Sequence, residues 1–66
     1  MDKRGIIFNR WLAVDYNGIE KMFYYKPKRC EKHGEWWGEC MILPYGSIKK
    51  LIGRELTFNS SPVEIK

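Results

Sequence analysis

Gly5–Lys26 reads GIIFNRWLAVDYNGIEKMFYYK, and its alternation decides the fold class. Ile6, Phe8, Leu12 and Val14 fall on one face of an extended chain, and Ile7, Asn9, Trp11 and Ala13 on the other. Arg10 interrupts the apolar face, which points to an edge position or a nearby bulge. Asp15-Tyr16-Asn17-Gly18 supplies a turn, because Asn-Gly accepts positive φ at little cost. Ile19 to Tyr25 continues as a second strand, with Ile19, Phe23 and Tyr25 opposite Glu20, Met22 and Tyr24. An antiparallel hairpin over residues 5–26 follows.

Working outward, Pro27 ends the second strand by removing a ladder donor. Lys28 to Gly34 is polar and basic and reads as a loop. Glu35 to Leu43 reads as a third strand, with Trp36, Cys40 and Ile42 on one face and Trp37, Met41 and Leu43 on the other. Gly38 within it marks a bulge or a close approach by another backbone. Pro44 closes this strand, Tyr45-Gly46 makes a turn, and Ser47 is placed to cap a short helix over Ile48–Ile52. Ile48, Leu51 and Ile52 share one helical face, and Gly53 supplies a left-handed stop. So short a helix does not hold alone and must be pinned to a sheet, with Lys49, Lys50 and Arg54 outward. Glu55 to Asn59 reads as a fourth strand with Leu56 and Phe58 inward and Thr57 outward. Asn59 to Pro62 is a loop, and Val63-Glu64-Ile65 a last strand. The expected fold is mainly β (α+β): a small, strongly bent antiparallel sheet or partly open barrel in the order β-β-β-α-β-β, with one helical turn at 47–52.

With 66 residues the chain allows one domain, residues 1–66, and a thin core. Domains of this size bury only about 60% of their unfolded surface and often lean on a metal, a disulfide or a partner. The 44% hydrophobic and 30% charged content favours a folded chain over a disordered one. No stretch reads as a signal peptide or approaches the ~20 apolar residues of a membrane span. The expectation is a soluble cytoplasmic protein, in the host cytoplasm if the gene is a phage's, with its two cysteines reduced or metal-bound rather than bridged.

The net charge of +4 is unevenly spread. Residues 1–34 carry eight Lys/Arg against four Asp/Glu, whereas residues 35–66 carry four of each. Within Lys26–Lys32, Lys26, Lys28, Arg29 and Lys32 face a single acid, Glu31. Tyr24, Tyr25, Trp36 and Trp37 flank that segment. Rings beside cations can stack on bases and neutralise phosphates, and the same residue types anchor protein interfaces. The bland alternatives are a solvated basic loop and, by strand alternation, one core ring in each adjacent pair. Tyr24, Lys26, Lys28, Arg29, Lys32, Trp36 and Trp37 are the expected partner-binding residues. Lys49, Lys50 and Arg54 make a smaller basic cluster on a helix too short to read a major groove.

Cys30, His33 and Cys40 form C-x2-H-x6-C, three of the four ligands a structural zinc requires. Glu31, Glu35, Glu39 or a second chain would have to complete it. The bland reading makes Cys40 a core thiol, with Cys30 and His33 in a loop. As an enzyme, the chain would need Cys30 and His33 as a nucleophile and base with an orienting group. It lacks a Ser/His/Asp set, H-E-x-x-H and a phosphate-cradling glycine motif, so no catalytic residue is expected.

KPKRCEKHGEWWGE, then ILPYGSIKKLIGRELTF and PVEI, together spanning Lys26 to Ile65, resemble small accessory proteins encoded by bacteriophages. That resemblance implies a protein that binds and alters a host component or counters a defence system. MILPYGSIKKLIGREL also looks like an AbrB-type swapped-hairpin half, in which a strand and proline lead into a short helix. It lacks that family's acidic-glycine turn after the helix. The expected function is therefore non-enzymatic binding, occluding a host or defence protein through the aromatic-basic residues. The alternative is a nucleic-acid-binding (DNA or RNA) regulator using the same arm. A homodimer fits either reading, because so small a sheet leaves edges uncovered.

Overall fold

A computed structural model describes residues 10–65. The order is β1 (Arg10–Val14), β2 (Glu20–Phe23), β3 (Lys28–Cys30), β4 (Glu35–Trp37), β5 (Cys40–Leu43), α1 (Ser47–Ile52) and β6 (Val63–Ile65). These build a four-stranded antiparallel sheet, β5-β2-β1-β6, and a two-stranded antiparallel sheet, β3-β4. Over these residues the protein is mainly β with one short helix, as the alternation implied, and the strands close no barrel. Gly5–Asn9, the first half of the expected opening strand, lies outside the described residues.

The hairpin register pairs Trp11 with Phe23 and Val14 with Glu20. The turn between them forms as the Asn-Gly pair dictates, with Gly18 at φ 92° and its N–H donating to Asp15 O at 2.9 Å. β1 is central, flanked by β2 and β6, so the edge or bulge inferred from Arg10 is not what its charge marks. Arg10 instead stacks its guanidinium 4.9 Å from the Tyr24 ring.

Both faces of β1 are covered: Leu12, Ala13 and Val14 are consecutive and buried. On one face Leu12 and Val14 pack with Ile48 of α1 and with Leu56, flanked by Met22, Leu43, Ile52, Val63 and Ile65. On the other, Ala13 and Phe23 pack with Trp36 of β4 and Phe58, flanked by Trp11. A helix, a sheet and a hairpin thus stack as three thin layers. Two small cores in place of one answer the shortage of interior that the chain length imposes.

Several expectations from the sequence give way here. Lys28–Cys30 is a strand rather than part of a loop. An outer layer needs only alternate residues to turn inward, so a polar and basic run serves it. The single strand expected over Glu35–Leu43 is two strands in different sheets, broken at Gly38. Gly38 has φ 150°, and a Cβ there would lie 3.2 Å from the Phe23 ring, the close approach its glycine signalled. Cys40 and Ile42, expected on one face with Trp36, are exposed on β5, the outer strand of the other sheet, while Trp36 is buried. Glu55–Asn59 forms no strand, yet Leu56 and Phe58 are buried and Thr57 exposed, so the alternation holds without a ladder.

In α1, Ile48 is buried and Ile52 packs on the core, but Leu51 is exposed. Gly53 ends the helix at φ 80° and donates its N–H to Lys49 O at 2.8 Å. Ser47 does not cap the helix; it is the first helical residue, and its hydroxyl donates to Pro44 O at 2.6 Å. The cap comes from the sheet. Glu20 accepts the N–H of Gly46 at 2.7 Å and of Ile48 at 2.8 Å. Lys49, Lys50 and Arg54 are exposed, as expected.

Candidate binding surface

The register of β3 against β4 sorts the expected site residues. Lys28 pairs with Trp37, Arg29 with Trp36, and Cys30 with Glu35. Successive side chains point to opposite faces, so Arg29 and Trp36 turn toward the core while Lys28, Trp37, Cys30 and Glu35 share the outer face.

Trp36 is therefore a core residue and offers no ring to a partner. Arg29 is tied down beside it. Its guanidinium lies 4.2 Å from the Phe58 ring centroid and 5.8 Å from that of Trp36. It donates to Asn59 Oδ1 at 3.0 Å and Phe58 O at 3.4 Å, and pairs with Glu31 at 3.3 Å. A guanidinium so engaged lies over the Phe58 and Trp36 rings at the rim of the second core, its side chain still 33% exposed. The Tyr24 ring lies under Arg10, and by strand alternation Arg10 projects on the α1 side of the main sheet with Leu12. It does not join Trp37. Lys26 lies 5.7 Å from the Trp11 ring centroid.

What remains together is a compact group on the hairpin's outer face. Trp37 is 50% exposed, held by its indole N–H donating to Glu35 Oε1 at 2.8 Å. The His33 ring lies against it, with centroids 5.6 Å apart and planes tilted by 33°. Lys28 and Lys32 are exposed on either side in sequence. The hairpin carrying the group is fixed from beneath by a buried ion pair. Asp15 accepts the Trp36 N–H at 2.9 Å and pairs with Lys21 at 2.7 Å, and Lys21 also donates to Trp36 O at 3.3 Å.

Cys30 Sγ lies 3.2 Å from His33 Nδ1, but Cys40 sits on β5 in the other sheet, so the C-x2-H-x6-C set does not converge. Both cysteines are free. Among the described residues, no group of three His, Cys, Asp or Glu side chains is placed to hold a metal ion.

Two neighbouring features escaped the sequence. Tyr16, Glu31, Lys32, His33, Gly34, Phe58 and Asn59 line an open cleft of about 390 Å³ beside the hairpin turn. It arises because Tyr16 donates its N–H to Gly34 O at 2.7 Å and sets its ring edge-on to Phe58, contacts between distant segments that no local pattern encodes. The second is β5, an edge strand without a charged residue that exposes Met41 and Ile42. Such edges are open to strand addition.

Over the described residues, fold and surface together define a small, mainly β protein with an exposed Trp-Lys-His face and an uncharged edge strand. Comparison of the chain with protein-family models, with curated proteins and with solved structures returns no match. Among the described residues, no helix is long and apolar enough to cross a membrane.

Proposed function

We propose that this chain is a non-enzymatic binding protein that occludes a surface of another protein through the outer face of the β3–β4 hairpin. In keeping with the resemblance to phage accessory proteins, the target class is a host or defence protein of the cytoplasm. The observation that carries the proposal is Trp37. It is half exposed among the polar side chains of that face, with its indole N–H donating to Glu35 and its ring against His33. A large amphipathic ring whose orientation is already fixed loses little entropy on binding, which is what interface anchors share. Lys28, its cross-strand neighbour, and Lys32 supply a basic rim.

A nucleic-acid partner is the second reading, supported by exposed Lys28 across the ladder from Trp37, by exposed Lys32 in the turn and by exposed Lys26 over the Trp11 ring. Three features weigh against it: Arg29 is already bonded to Asn59, Glu31 pairs with Arg29, and Glu35 shares the outer face. Salt separates the two. Phosphate neutralisation releases counterions and makes affinity fall steeply with salt. A protein partner held by a desolvated ring depends on salt weakly. Native mass spectrometry of the protein mixed with host lysate, repeated at rising salt, tests this. A protein bound at fixed stoichiometry across the series supports occlusion, and an oligonucleotide shed as salt rises overturns it.

A further inference from the structure

We infer that Cys30 is a nucleophilic thiol served by His33, and that it is the residue on this chain which exchanges with small disulfides such as glutathione disulfide. The pair is Cys30 Sγ and His33 Nδ1 at 3.2 Å, within hydrogen-bond reach for sulfur. A nucleophile, a base in contact with it and a group orienting the base are the recurring parts of an activated thiol. All three are present. His33 supplies the base, and the Trp37 ring, whose indole N–H donates to Glu35, packs against its imidazole and narrows the orientations open to it. The charged side chains around the pair are Lys28 and Glu35 on the strands, with Glu31 and Lys32 in the turn, where Arg29 already pairs with Glu31. They nearly cancel, which leaves the imidazole as the group that distinguishes Cys30.

The step balances without a further reagent. The Cys30 S–H bond breaks and its proton passes to His33 Nδ1, the unprotonated nitrogen when hydrogen sits on Nε2. The sulfur attacks one sulfur of the disulfide, a new S–S bond forms and the old one breaks. The departing thiolate takes the proton from His33. Cys30 is oxidised to a mixed disulfide and the departing half is reduced to a thiol. The adduct then sits on the same face as Trp37 and Lys28.

The chain carries its own control. Cys40 is exposed, whereas Cys30 is only partly so. Access alone therefore ranks Cys40 as the faster thiol, and the Cys30–His33 contact ranks Cys30 first. The test uses full-length Cys40→Ser and Cys30→Ser, each reacted with a small excess of glutathione disulfide at neutral pH, with adduct followed by mass spectrometry. The expected result is that Cys30 reacts at least about tenfold faster than Cys40, a conservative share of the range for a positioned base. Adding His33→Ala should bring Cys30 to or below the Cys40 rate, and concentrated urea should erase the difference in the unaltered pair. Equal rates, a faster Cys40, or a Cys30 advantage that persists in urea or without His33 would overturn the assignment.

Discussion

The carboxylate of Glu20 lies 2.8 Å from the backbone nitrogen of Ile48, so a strand of the central sheet caps the only described helix. Because the same carboxylate also takes the Gly46 N–H, one buried side chain fixes both the entry and the depth of α1. Six residues have too little helical stability of their own, and this capping together with Ile48 burial supplies the rest. Glu20→Ala should lower the free energy of unfolding by about 2–4 kcal/mol, since two charge-assisted bonds go and two helix N–H groups lose their acceptor. Glu20→Gln keeps one acceptor oxygen and should lose about half of that. Urea unfolding of the three proteins measures it, and equal stability would show that α1 is held by its apolar face alone.

Lys21 and Asp15 form a second sheet-to-layer tie, with side chains 13% and 3% exposed. Removing one partner of a buried pair leaves an uncompensated charge, so Lys21→Met should cost about 3–5 kcal/mol. Asp15→Asn combined with Lys21→Met removes the buried charge yet keeps an acceptor for the Trp36 N–H. The double variant is expected to be more stable than Lys21→Met alone. A double-mutant cycle in urea gives the coupling directly, and strictly additive losses would contradict the pair's role in seating the hairpin.

Gly38 separates two strands that belong to different sheets, and its missing side chain leaves room for the Phe23 ring. Gly38→Ala places a methyl 3.2 Å from that ring at a φ which L-residues rarely adopt. A loss of about 1–3 kcal/mol is expected, read as a lower urea midpoint at unchanged slope. Stability equal to the parent would mean that the chain can turn between the sheets without glycine.

These ties also show what a single sequence discloses. The hairpin over β1 and β2 is legible because alternation and Asn-Gly are local, and the buried Leu56 and Phe58 follow from alternation even where no strand forms. Alternation sets Glu20 on the face opposite Phe23, where the structure has it, but its partner lies 28 residues away and no spacing rule reveals it. Polarity misled at Lys28–Cys30, where an outer-layer strand turns just Arg29 inward. At the surface, period-two counting separates Trp37 from Trp36 but does not say which of them is core; only the side on which the main sheet lies decides that. Cys30 and His33 meet because they stand three positions apart across a tight turn, whereas Cys40 is carried away by the break at Gly38.

The exposed members of the outer face should contribute little to folding. Trp37→Ala and Lys28→Ala are each expected to change stability by less than about 1 kcal/mol, while Trp36→Ala, in the core, should cost about 3–5 kcal/mol. Thermal unfolding of the three variants separates an anchor from a core ring, and a severe loss on Trp37→Ala would place that indole in the fold instead.

The most direct test of the occlusion proposal is the affinity of Trp37→Ala for the protein partner recovered with the parent chain, measured by calorimetry at low and high salt. The account predicts a loss of at least about 2 kcal/mol with the fold retained, a smaller loss for Lys28→Ala, and little change with salt. Unaltered affinity for Trp37→Ala, or a partner that proves to be nucleic acid released by salt, would contradict it.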